Sequence, residues 1–218
     1  MLTLKDIREN EEVKIYVEAQ DAPLAELGYT EHSFPHVIRV AEGAADVLIS
    51  LGFSERDAEL ARIAGYLHDI GNLVNRQEHS QSGALIAFRL LDKLGMDPRE
   101  ITKVVSAIGN HDEGTGVPVN EIAAALILAD KADVRRSRVR NDDPAFFDIH
   151  DRVNYSVTAS DLSVSEDRTV TLSLTVDTTI SKVMDYFEIF LERMILCKKA
   201  ADRLLATFKL RINGQDLL

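Results

Sequence analysis

Along most of the chain, apolar residues recur at three- and four-residue intervals, the period of an amphipathic helix. Val37, Val40, Ala41, Ala44, Val47, Leu48 and Leu51 follow this spacing from Pro35, which suits a first helical position, up to Gly52. Ser54 with Asp57 three residues on forms a capping-box signature, and it opens a second helix through Ala58, Ala61, Ala64 and Leu67. A third is expected from about Ser80 to Leu94, ending at Gly95, with Ala84, Leu85, Ala87, Phe88, Leu91 and Leu94 inward. Asp97-Pro98-Arg99-Glu100 reads as N-cap, first-turn proline and acidic third position, starting a helix that runs to about Gly109. Asn120 caps the next, whose Ile122 to Ala129 stretch is apolar on all sides, as a helix surrounded by other helices should be. Leu4 to Ala19 is charged and weakly amphipathic, a surface helix, and Pro23 and Gly28 mark the loop after it.

The pattern changes after Asp143-Pro144. Val153, Tyr155 and Val157 alternate with polar residues, Leu162 and Val164 alternate in the opposite phase, and Val170, Leu172, Leu174 and Val176 alternate again. This predicts a β-hairpin turning at residues 166–168, with a bulge near Ala159-Ser160-Asp161 where the phase slips. A two-stranded ribbon is marginal alone, so it must lie on the helical core or pair with another subunit. From Thr179 to about Leu210 helical spacing resumes, giving one C-terminal helix of about 45 Å at 1.5 Å per residue. The expected fold is mainly α: a helical extension at 1–29, a helical bundle at 30–140, and a β-hairpin with a long C-terminal helix at 141–218. The last part packs on the core or at a homodimer interface.

A chain of 218 residues with 45% hydrophobic and 28% charged residues can bury a sizeable core. The longest apolar run is far too short to span a bilayer, and Met1 to Asp6 has no signal-peptide character, so a cytoplasmic protein is expected. The single cysteine, Cys197, excludes an intrachain disulfide and a cysteine-rich zinc site. A net charge of -11 argues against general nucleic-acid binding, which depends on neutralising phosphates. It does not oppose a small phosphorylated ligand in a cleft whose local field is reversed by bases or bound cations.

The candidate chemistry lies at the helix ends. In Tyr66-Leu67-His68-Asp69-Ile70-Gly71-Asn72 an imidazole and a carboxylate stand side by side. Neighbours on a helix point about 100° apart, so the two can serve one ion only if the helix turns or frays at Gly71. His36 in a first turn, His79 before the third helix, His111 after the fourth and Asp130 at the end of the apolar helix could complete a site. His32 competes with His36, and Asp133 with Asp130. Read singly, each histidine could equally be a cap or a buried, hydrogen-bonded side chain.

Taken together, His36-Val-Ile-Arg-Val-Ala41, Leu67-His68-Asp69-Ile70-Gly71, Glu78-His79-Ser80-Gln-Ser-Gly83-Ala84, Asn110-His111 and Leu128-Ala129-Asp130-Lys131 resemble the HD superfamily of metal-dependent phosphohydrolases. The resemblance covers about residues 30 to 138, the helical bundle. It implies that His36, His68, Asp69 and Asp130 bind a first divalent ion. It further implies that His79 and His111 serve a second, with Asp69 bridging and with Asp69 and His68 central to catalysis. Mixed imidazole and carboxylate donors favour iron or manganese, with magnesium, cobalt, nickel or zinc also compatible, as one ion or two. The nearest branches are the diadenosine polyphosphate hydrolases and, less closely, cyclic dinucleotide phosphodiesterases, from whose pattern Asn110 and Gly114-Thr-Gly116-Val117-Pro118 depart. The implied activity is hydrolysis of a nucleotide or dinucleotide phosphoester or phosphoanhydride. The alternative is a nucleotide-sensing regulatory module that keeps the metal site. Lys131, Arg135 and Arg136 are the phosphate-binding candidates, with Arg138 and Arg140 nearby; a solvated basic helix end would show the same pattern.

Overall fold

The computed structural model describes residues 1–141, 143 and 147–217. The helices are α1 (Leu4–Glu9), α2 (Glu11–Ala19), α3 (Asp21–Glu26), α4 (Phe34–Ser50), α5 (Glu55–Leu67), α6 (His79–Lys93), α7 (Pro98–Gly109), α8 (Glu121–Ala132), α9 (Ile149–Ser156) and α10 (Val183–Arg203). Tight 3-10 turns occupy Ile70–Leu73 and Arg136–Arg138. The apolar helix α8 is the hub: Ile122 to Leu128 are all buried, and it packs against α4, α5, α7 and α10. Its N-terminus is fixed by Asn120, whose Oδ1 accepts from the Ala123 N–H at 2.7 Å. The expected caps at Ser54 and Asp97 also form.

Several expectations need correction. Leu4 to Ala19 is two helices, because the Asn10 side chain accepts from the Val13 N–H and starts a new helix there. Pro23 lies inside α3 rather than in a loop. On α6, Leu85 and Phe88 point outward, 72% and 51% exposed; the inward face is carried by Gly83, Ala84, Ala87, Leu90 and Leu91. Val153 and Tyr155 belong to helix α9, capped by Asp148, so their alternation was coincidental. Pro144, which marked the change of composition, lies outside the described residues.

The largest correction is at the C-terminus. The long helix stops at Arg203, and Leu205, with φ of 55°, turns the chain into a strand. There Phe208, Leu210 and Ile212 alternate inward with period two. The hairpin of β1 (Val157–Val164) and β2 (Thr169–Val176) turns where expected, with its register slip between Val157 and Ala159. It gains β3 (Thr207–Ile212) parallel to β2, then β4 (Gln215–Asp216) antiparallel to β3. Among the described residues the sheet has four strands in the order β1-β2-β3-β4, so the protein is mainly but not entirely helical. The crossover from β2 to β3 is α10, as a parallel pair requires.

Candidate metal centre

The ligand candidates are delivered by five helix ends, those of α4, α5, α6, α7 and α8. α5 ends at Leu67, His68 keeps helical angles as its cap, and Asp69 (φ -91°, ψ -1°) enters the 3-10 turn. The tightened turn resolves the directional problem: His68 and Asp69 face one point, Nε2 to Oδ2 3.3 Å apart. Gly71 is needed there for space. A Cβ on it would run into the His79 carbonyl oxygen and stand 2.5 Å from the Gly83 nitrogen, so only glycine lets α6 bring His79 this close. Gly65 plays a similar part between α4 and α5, where a Cβ would lie 2.7 Å from the Ala41 Cα. That contact brings His36 within reach of His68, Nε2 to Nε2 3.3 Å.

Around Asp69 the donors form two groups. Its Oδ2 lies 3.3 Å from His36 Nε2, and Asp130 Oδ1 lies 3.4 Å from His36 Nε2 and 3.6 Å from His68 Nε2. Its Oδ1 lies 3.5 Å from His79 Nε2, which is 3.2 Å from His111 Nε2. Two triads, His36/His68/Asp130 and His68/Asp69/His111, have donor atoms within 4.8 Å of one another.

Each ring is held from behind. His68 Nδ1 donates to the Gly65 carbonyl at 2.8 Å, His79 Nδ1 to Arg76 at 3.1 Å and His111 Nδ1 to Ile108 at 2.6 Å. His36 Nδ1 bonds Asp133 Oδ2 at 2.7 Å. A carbonyl oxygen only accepts, so the proton of each neutral ring sits on Nδ1 and the Nε2 lone pairs converge on the centre. Lone pairs 3.2 to 3.3 Å apart repel each other, and the buried Asp69 Oδ2 facing them makes no hydrogen bond. A divalent cation at each group would satisfy these atoms, and the oxygen and nitrogen donor set suits a first-row metal. Without one, protons do part of the same work. Burial opposes charge on His68, yet Asp69 and Asp130 carry its pKa up to about 10. Asp130 is held far below the usual carboxylate range, against the effect of burial, by Lys131, His36 and His68.

Asp133 is not at the centre. It lies behind His36 and pairs with Arg135 at 2.8 Å and Arg39 at 3.3 Å, so it orients the His36 ring. His32 is buried, packs edge-on to His36 and lines the cleft; burial, followed by the field of Arg138, pushes its pKa down.

The centre opens into a cavity of about 510 Å³. Lys131, Arg76, Arg138 and Arg193 stand around it; α9 adds His150, Asp151 and Asn154, and α10 adds Phe190. Lys131 contacts Asp130 at 2.7 Å and Glu113 at 3.1 Å, and Glu113 also pairs with Arg193. Arg135 and Arg136 do not line the cavity. Arg135 is taken up by Asp133 and Glu31, while Arg136 donates to the Tyr155 carbonyl and stacks on the Tyr155 ring. Arg140 pairs with Asp21 and donates to the Tyr29 carbonyl. Arg76, Arg193 and Glu113 could not be singled out from sequence, because isolated charges on surface-type segments carry no periodic signal. The His150-Asp151 pair was the visible hint toward α9.

A centre of imidazoles and carboxylates gathered from helix ends, beneath a cleft lined with basic side chains, defines a helical protein equipped to bind divalent metal. Residues 34–137, just under half of the chain, match the HD domain family model, so this segment is similar to a family whose members are in general metal-dependent phosphohydrolases. The chain is also similar to an uncharacterized protein of Methanocaldococcus jannaschii, at 29% identity over 136 residues. That match covers 52% of each chain, so this chain spans about half the length of the relative. No described helix is long and apolar enough to cross a membrane.

Proposed function

We propose that the protein hydrolyses a phosphoester or phosphoanhydride bond of a nucleotide or dinucleotide. The observation that carries this reading is the convergence of four Nε2 atoms on Asp69 and Asp130 at the floor of a cleft bearing Lys131, Arg76, Arg138 and Arg193. His36, His68, Asp69 and Asp130 would hold one ion, and His79, His111 and the other oxygen of Asp69 a second. Such ions, iron or manganese by the donor set, polarise a phosphoryl oxygen and lower the pKa of bound water.

The chain's own groups supply the rest. Lys131 is buried at the cavity wall and keeps its charge because Asp130 and Glu113 offset the effect of burial, so it offers a fixed cation beside the centre. Arg76 bonds Asn72 at 3.3 Å, and Asn72 in turn donates to Asp69 Oδ1 at 3.0 Å, linking a phosphate-facing guanidinium to the bridging carboxylate. Guanidinium forks suit phosphate oxygens, and the polar face of α9 suits a hydroxylated, non-phosphate part of the ligand. Arg135 and Arg136 would act on a substrate only from outside this cleft.

A second reading, a nucleotide sensor without turnover, draws on Glu113, which already occupies both Lys131 and Arg193 where a phosphate would bind. One experiment separates the two. Protein purified without chelator is analysed for metal and assayed against nucleotides and dinucleotides, beside Asp69→Ala. Bound iron or manganese, lost with phosphate release in Asp69→Ala, is the expected result. Metal and nucleotide binding without turnover would favour the sensor, and absence of both bound metal and metal-stimulated activity would overturn the catalytic reading.

A further inference from the structure

The outer side of α10 bears a stripe that nothing in the described chain covers. Met184, Leu191 and Ile195 are 72%, 51% and 48% exposed, and with Glu188, Lys198 and Asp202 they follow the three- and four-residue spacing of one helical face. Around its middle the charges are sorted: Glu188 and Glu192 lie on the N-terminal side and Lys198 and Lys199 on the C-terminal side, all four exposed, with the exposed Asp202 beyond the lysines. None of these four side chains has an ion-pair or hydrogen-bond partner among the described residues. The outward Leu85 and Phe88 of α6 differ in this respect, because the neighbouring Arg89 and Lys93 are already neutralised by Glu12.

A face whose central Leu191 and Ile195 are flanked by Glu188 on one side and Lys198 on the other is complementary to itself there when reversed. We propose that two copies of this chain associate through α10 packed antiparallel about a two-fold axis near position 193. That register sets Leu191 against Ile195 of the second copy and Glu188 against its Lys198, whereas a parallel pair would oppose like charges. Val117 and Val119, 54% and 44% exposed, widen the apolar surface beside the C-terminal half, where Arg203 donates to the Val119 carbonyl at 3.5 Å. A helix of 21 residues is about 31 Å long at 1.5 Å per residue. With that loop it has the reach of a stable interface, which buries about 1,200–2,000 Å² in total. The opposite side of the same helix carries Phe190 and Arg193 into the cleft, so the association would also brace a wall of the metal centre.

The test is the mass of the full chain in solution, by light scattering or sedimentation equilibrium at tens of micromolar. Twice the chain mass of 24.3 kDa is expected. Leu191→Asp with Ile195→Asp should give a monomer of unchanged circular dichroism and metal content, since both residues are on the surface. Glu188→Lys and Lys198→Glu should each weaken association at least tenfold, and the two together should restore it. A wild-type monomer, or a dimer indifferent to the paired aspartates, would overturn the proposal. A dimer lost with the aspartates but not restored by the double charge reversal would overturn the antiparallel register.

Discussion

Gly65→Ala is the substitution that most directly tests how the centre is built. A Cβ on Gly65 would stand 2.7 Å from the Ala41 Cα, 2.8 Å from the Ala41 nitrogen and 3.0 Å from the Val40 carbonyl carbon. All three are backbone atoms, so no rotamer change relieves the contact. Carbon atoms pack at about 3.5–4.0 Å, so α4 and α5 must separate by roughly 1 Å. Overpacking of this kind costs about 1–3 kcal/mol. Alanine's advantage over glycine inside a helix, about 1 kcal/mol, offsets part of it. The net loss, up to about 2 kcal/mol, should lower the urea midpoint of the chelated protein by up to about 1 M at an unchanged slope of about 2 kcal/mol/M. Metal binding should suffer more, because the same movement separates His36 from His68, and coordination distances tolerate only about 0.2 Å. At least a tenfold loss of affinity by titration calorimetry is expected. Gly43→Ala is the control: its added Cβ meets only the Ala129 Cβ at 3.3 Å, a milder contact with a side-chain methyl rather than backbone. A Gly65→Ala protein with wild-type midpoint and metal affinity would refute the claim that this close approach sets the ligand spacing.

Other outcomes follow from the same geometry. Asp133→Asn keeps an acceptor for His36 but removes the charge behind it, and metal affinity should fall about 10–100-fold with the fold intact; unchanged affinity would remove Asp133 from any role at the centre. In chelated protein, burial acts against the His68 proton while Asp69 and Asp130 raise its pKa to about 10 from 6.5. The stability it contributes is then complete below pH 6.5 and lost as pH rises toward 10. Metal-loaded protein should show the opposite trend over the lower part of that range, since the ion must displace protons; urea midpoints at several pH values distinguish the two, and parallel profiles would contradict it. Burial pushes the Cys197 thiol up to about 12, so a thiol reagent at pH 8 should label none of it in the folded protein and one equivalent in denaturant.

Much of the centre was legible in the sequence because its donors sit at helix ends, and helix ends are what capping residues, prolines and glycines announce. Ser54, Asp97 and Asn120 mark where helices begin, and His68, His111 and Asp130 fall where helices stop. The C-terminal region was harder to read. Leu204, Leu205 and Phe208 continue a helical spacing by chance, and only the phase of Phe208, Leu210 and Ile212, with a left-handed turn at Leu205, separates strand from helix. Leu85 and Phe88 show that a helix's apolar residues do not reveal which of them face the core. Arg76, Arg193 and Glu113 reach the cleft through tertiary packing alone, which no local pattern encodes.

All the candidate ligands come from residues 36 to 130, while α9 and α10, which wall the same cavity, come from residues 149 to 203. The candidate ligands and the α9–α10 side of the cavity are therefore separate stretches of chain, although Arg76, Lys131 and Arg138 add walls from the ligand-bearing part. Substitutions at Asp151, Asn154 or Phe190 could redirect which molecule fits while leaving the donors to the ion untouched. On that side the cavity can change shape without moving a candidate ligand.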